Sequence, residues 1–113
     1  MKNISFVAAM FLAVMSGGIA RAECTNLPLL DANTCASIEY SNADDELNRV
    51  YETLPKSNEL ITSELRWISY RDFHCNAVAE PFRYRPEFYL IRTVCLTAIT
   101  NQRTNFLLNS FIE

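Results

Sequence analysis

Few groups in this 113-residue chain stand out for covalent, acid–base or metal chemistry. They are one histidine (His74), four cysteines (Cys24, Cys35, Cys75 and Cys95), and an Arg71-Asp72 pair close to the single tryptophan, Trp67. A nucleophile needs an adjacent base, and acid–base catalysis needs positioned groups with tuned pKa values. One histidine next to a cysteine supplies neither, so no catalytic site is assigned. The cysteines are spaced by 11, 40 and 20 residues, with no C-x-x-C. That argues against a zinc site or a dithiol redox pair. No metal and no cofactor is expected. What remains is structural chemistry: two disulfides among four cysteines, and an ion-pair cluster around Trp67.

The compartment follows from the start of the chain. Lys2 is a positive n-region, Phe6 to Met15 an apolar h-region, and Ala20-Arg21-Ala22 a small-x-small cleavage site. This predicts a secretory signal over 1–22 and a single domain over 23–113. The apolar run is too short for a comfortable membrane span, which takes about 20 residues. Export to the periplasm or cell exterior makes two disulfides the default for an even cysteine count. Loss of Lys2 and Arg21 leaves 8 Lys+Arg against 13 Asp+Glu, a net charge of −5. That disfavours nucleic acid or an anionic membrane as partner and permits a basic protein.

Three elements must position these groups. Ala36, Tyr40, Ala43, Leu47, Val50 and Leu54 recur at gaps of 4, 3, 4, 3 and 4. This predicts a helix from about Thr34 to Leu54, with Asn33 or Thr34 as N-cap and an irregular lead-in before it. Pro55 ends it. Ser57 or Asn58 then caps a second helix from about Glu59 to Ala77, on which Ile61, Leu65, Ile68, Asp72 and Cys75 form one expected buried stripe. A third helix, about Glu87 to Asn109, places Leu96, Ile99, Thr100, Arg103, Phe106 and Leu107 on one face. Both glycines lie in the signal segment. The fold class is all-α, an antiparallel three-helix bundle.

In such a bundle Cys35, Cys75 and Cys95 come to one end, with Cys24 just before the first helix. Cys24–Cys35 with Cys75–Cys95 joins nearest neighbours; Cys35–Cys75 with Cys24–Cys95 is the rival. At ~1.5 Å per residue, Asp72 lies one short step below Cys75, while Arg103 lies deeper, level with Trp67. An Asp72–Arg103 pair, an Arg103–Trp67 stack and an Arg71–Asp72 pair are all open, with hydroxyls of Thr100, Tyr51 and Tyr70 completing the network. Such networks are most often structural. Pro81-Phe82-Arg83-Tyr84-Arg85-Pro86 reads either as a solvated connector or as a partner-binding loop through Phe82, Arg83, Tyr84 and Arg85, since Arg and Tyr favour binding hot spots.

Four ordered motifs carry a resemblance. They are Cys24 … Cys35-Ala36; Ala43-Asp44-x-x-Leu47-Asn48-x-x-Tyr51; Trp67-Ile68-x-Tyr70-Arg71-Asp72-x-x-Cys75; and Cys95-Leu96-x-x-Ile99-Thr100-x-x-Arg103-Thr104-x-x-Leu107. Together they resemble the LprI-type lysozyme-inhibitor domain family of small exported bacterial helical domains. The resemblance spans nearly all of 23–113. It implies a protein that binds and inhibits a lysozyme or another peptidoglycan hydrolase in the bacterial envelope. The family motif residues map onto Asp44, Asn48, Trp67, Arg71, Asp72, Thr100 and Arg103, whose regular placement within helices suits a fold role. The chain departs from the family pattern in a short first connection, in Ser63-Glu64-Leu65-Arg66 before Trp67, and in an Arg- and aromatic-rich segment before Cys95.

The competing readings are a periplasmic immunity or accessory module for another cell-wall-directed protein, and a structural envelope protein. An enzyme ranks below all of these.

Overall fold

The computed structural model describes residues 24–111. The expected signal segment and the proposed first mature residue, Glu23, lie outside the described residues. The described residues form three long helices, α1 (Leu29–Glu52), α2 (Asn58–Ala79) and α3 (Phe88–Phe111), with a 3₁₀ turn at Glu80–Phe82 after α2. No helix among the described residues is long and apolar enough to cross a membrane.

Each boundary has a local cause. α1 starts at Leu29, five residues before the expected Thr34, because Pro28 takes the N-cap position with an extended backbone (φ −54°, ψ 150°). Proline lacks an N–H and cannot donate to the preceding chain, so it suits a helix start. Asn33 and Thr34 are thus interior residues rather than caps, and the Thr34 hydroxyl donates back to the Leu30 carbonyl at 3.3 Å. α2 starts as its sequence predicts: the Ser57 hydroxyl accepts the Leu60 N–H at 3.0 Å. Pro81 then falls inside the 3₁₀ turn that closes α2.

Side-chain bonds fix the topology and register. Ser37 on α1 bonds the Tyr89 hydroxyl on α3 at 2.9 Å. Arg92 on α3 donates to Asn76 on α2 at 2.6 Å, and Arg103 on α3 donates to Glu64 on α2 at 3.0 Å. α3 therefore runs parallel to α1 and antiparallel to α2, the up–down–up bundle expected from short connections. Both disulfides form in the nearest-neighbour pairing, Cys24–Cys35 and Cys75–Cys95, with Cα–Cα separations of 5.4 and 5.5 Å. The rival pairing is excluded. The level contacts Ser37–Tyr89 and Asn76–Arg92 put both bridges at the same end of the bundle.

The two ends are built differently. At the disulfide end the buried side chains are mostly small: Ala32, Ala36 and Ala43 on α1, Ala79 on α2, and Thr93, Thr97 and Thr100 on α3, with Leu96 beside Cys95 a larger one among them. Small side chains let helices approach closely but remove little apolar surface from water. The covalent bridges supplement that thin core. At the far end Leu47, Val50, Leu54, Leu60 and Leu107 form the aliphatic core, with Tyr51, Trp67 and Leu108 packed against it.

α3 packs along both other helices, whereas α1 and α2 meet sparingly. This overturns the expected inner face of α2. Ile61, Leu65 and Ile68 are exposed, and the buried positions are Leu60, Glu64, Cys75 and Ala79. Because α2 is oriented by α3, its stripe facing α1 has no helix tight against it. On α3 the expected face is only partly buried: Leu96, Thr100 and Leu107 are enclosed, Phe106 is exposed, and an unforeseen threonine row (Thr93, Thr97, Thr104) is buried instead. Two of these threonines satisfy their hydroxyls within the helix, Thr97 on the Thr93 carbonyl and Thr104 on the Thr100 carbonyl, each at 3.2 Å.

Candidate functional site

Trp67 lies at the centre of the polar cluster. The Arg71 guanidinium is 5.2 Å from its ring centroid and that of Arg103 5.7 Å. Both distances fall within the reach of a cation–π contact. Arg71 is one turn along α2, and Arg103 arrives from α3. Each cation then takes its own carboxylate. Arg103 Nε donates to Glu64 Oε1 at 3.0 Å and its Nη2 to the Ser63 hydroxyl at 3.1 Å. Arg71 Nε donates to Asp72 Oδ1 at 3.0 Å, and its Nη1 lies 3.9 Å from Asp44 on α1. The two guanidiniums are nearly enclosed, while Asp44 and Asp72 are almost half exposed. Arg71 also lies 5.7 Å from the Tyr40 ring. Burial pushes the Tyr40 hydroxyl above its ordinary pKa, and the Arg71 cation opposes that shift.

Of the family motif residues, Trp67, Arg71, Asp72, Asp44 and Arg103 gather here. Asp44, Asn48, Trp67 and Arg71 also line one cleft between α1 and α2. The Arg103–Trp67 and Arg71–Asp72 contacts form as the sequence allows, whereas an Asp72–Arg103 pair does not, because Glu64 holds Arg103. Thr100 is fully buried, but its hydroxyl oxygen has no hydrogen-bond partner among the described residues and does not join the network. Tyr70 stacks with His74 instead, centroids 5.5 Å apart. Glu64 and Tyr40 are the members that sequence reasoning missed. The available signal is a second helical phase, Leu60, Glu64, Trp67, Arg71 and Cys75, at gaps of 4, 3, 4 and 4.

The Phe82–Arg85 segment lies at the disulfide end. Arg83 binds Glu80 through two nitrogens, with Nε 3.0 Å from Oε1, and lies 5.8 Å from the Phe88 ring. This hydrogen bond holds the Glu80 carboxyl below its ordinary pKa and raises that of Arg83. Arg85 lies 5.6 Å from the Phe82 ring and 3.8 Å from Glu87. Both cations are therefore locally compensated, and Tyr84, 95% exposed, is the side chain that projects. Glu39 lies beside the Cys24–Cys35 bridge, but both sulfurs are bonded to each other and leave no thiolate as a metal ligand.

Three helices, with one disulfide tying α2 to α3 and the other tying the segment before α1 to α1, define a small cross-linked helical domain. The chain belongs to the lysozyme inhibitor LprI family, whose model matches residues 21–107. No curated protein and no solved structure matches it. The family supports a lysozyme-inhibitor domain with a protein as its partner, and together with the disulfides it points to export.

Proposed function

We propose that this domain binds a lysozyme-type muramidase of the cell envelope and blocks its cleft. The family match over residues 21–107 is the observation that carries this reading. Muramidases cleave between two carboxylates that flank the glycosidic bond, so a protein that fills the groove stops turnover without chemistry of its own. The Phe82–Arg85 segment suits the entering role. Tyr84 supplies a large, stiff, exposed side chain of the type found at hot spots, and the adjoining Cys75–Cys95 bridge restrains the base of the segment.

The test is a titration of the oxidised protein into a c-type lysozyme, following turnover and binding heat together. Stoichiometric inhibition at sub-micromolar affinity is the expected result. Absence of interaction with c-, g- and i-type lysozymes overturns the reading.

A further inference from the structure

One surface has no part in holding the bundle together. Ile61, Leu65 and Ile68 follow one another along α2 at helical spacing, all exposed, Leu65 to 62%. They border a cleft of about 380 Å³ between α1 and α2, whose other wall is Asp44, Leu47, Asn48 and Tyr51 and which the ion-paired Glu64 and Arg71 and the Trp67 ring also line. The stripe has the periodicity of a buried face. Within the monomer it has no helix against it, because α1 and α2 meet sparingly. A contiguous apolar row beside a groove marks a surface that meets another molecule.

Charge selects which molecule. α1 carries six carboxylates against one cation, Arg49, and that cation is bound to Glu46. Asp45 and Glu52 are exposed and form no ion pair among the described residues. Helical spacing puts them three and four residues from Asn48, on the rim of the cleft. A second copy of this chain carries the same net negative charge, which disfavours its approach to these carboxylates. A cationic surface gains from the same arrangement.

We propose that the α1–α2 cleft docks a cationic surface of the partner muramidase. An apolar side chain of that partner enters between Ile61, Leu65 and Ile68, and Lys or Arg side chains face Asp45 and Glu52. This contact rests on the muramidase reading and extends it to the body of the domain, at a distance from the Tyr84 segment.

The probe is a basic c-type lysozyme, whose affinity is measured at low and moderate salt for three proteins: the wild type, Leu65→Arg, and Asp45→Asn with Glu52→Gln. All three side chains are exposed, and circular dichroism melts check that each variant folds. Leu65→Arg is expected to weaken binding about tenfold or more. The double variant is expected to weaken it several-fold and to flatten its salt dependence. Unchanged affinity of Leu65→Arg beside a wild type that binds overturns the cleft contact and leaves the muramidase reading standing. A wild type that binds no lysozyme overturns both. Self-association of the wild type that Leu65→Arg abolishes would seat a second copy on this face and overturn the cationic partner.

Discussion

Arg103 of α3 reaches across to Glu64 of α2, Nε to Oε1 at 3.0 Å, with side-chain exposures of only 10% and 12% and with the guanidinium stacked on Trp67. The pair joins the two helices where the aliphatic core gives way to the small-residue end. Removing one partner leaves a buried charge uncompensated, which costs about 3–5 kcal/mol. Glu64→Ala should therefore destabilise the domain on that scale in urea unfolding. Glu64→Met combined with Arg103→Met should recover most of the loss, since a buried ion pair is often replaceable by apolar residues. A Glu64→Ala loss below about 1 kcal/mol would place the pair with ordinary surface bridges.

The legible part of this fold is what local chemistry alone decides. The stripe from Ala36 to Leu54, the Ser57 cap and the Pro55 stop depend on neighbours in sequence, and all three hold. The phase of α2 does not hold, for a definable reason. Leu60-Glu64-Trp67-Arg71-Cys75 and Ile61-Leu65-Ile68-Asp72-Cys75 are both helical stripes and share Cys75. Apolar count favours the second; the first is the one buried, because a carboxylate on α2 has a guanidinium waiting on α3. That pairing joins residues 39 apart in sequence and has no local signature. The Arg103–Trp67 contact is legible because depth along each helix can be counted from the cysteines, and Arg71–Asp72 because the two are neighbours on one helix. The threonine row of α3 was invisible to a search for large apolar residues, although Thr fits a tight helix contact once its hydroxyl bonds the preceding turn.

The Cys75–Cys95 bridge closes 20 residues that include the Phe82–Arg85 segment. In the chain-entropy model a loop of that length contributes about 3 kcal/mol. Cys75→Ser with Cys95→Ser should lower unfolding stability by about that amount. It should also weaken lysozyme inhibition beyond the loss of folded protein, because the segment is no longer held. Full inhibition by the folded fraction would show that the segment needs no restraint.

Tyr84→Ala should raise the inhibition constant about tenfold with an unchanged melting temperature, since the side chain is almost wholly exposed. Arg83→Ala with Arg85→Ala should also weaken inhibition, but less than Tyr84→Ala, because Glu80 and Glu87 already occupy the two cations. Unchanged inhibition constants in both variants would remove the segment from the mechanism.

The alkaline limit of stability should report on the Trp67 cluster through Tyr40. Burial raises the Tyr40 pKa above its ordinary value of 10.0, so the fold favours the neutral phenol. A group whose folded pKa lies above its unfolded one contributes stability that is complete below the unfolded value and is lost as pH rises through the folded value. The Arg71 cation, 5.7 Å from the ring, works in the other direction by favouring the phenolate, and burial is the larger of the two. The melting temperature should therefore fall as pH climbs above 10, and Tyr40→Phe should fall less steeply over the same window. Replacing Arg71 with Met in the wild-type background should steepen the fall, because the larger opposing cation is gone while burial and the Asp44 and Asp72 carboxylates still favour the neutral phenol. Parallel melting curves for wild type and Tyr40→Phe through that window would mean that Tyr40 ionises in the folded protein as it does in the unfolded chain.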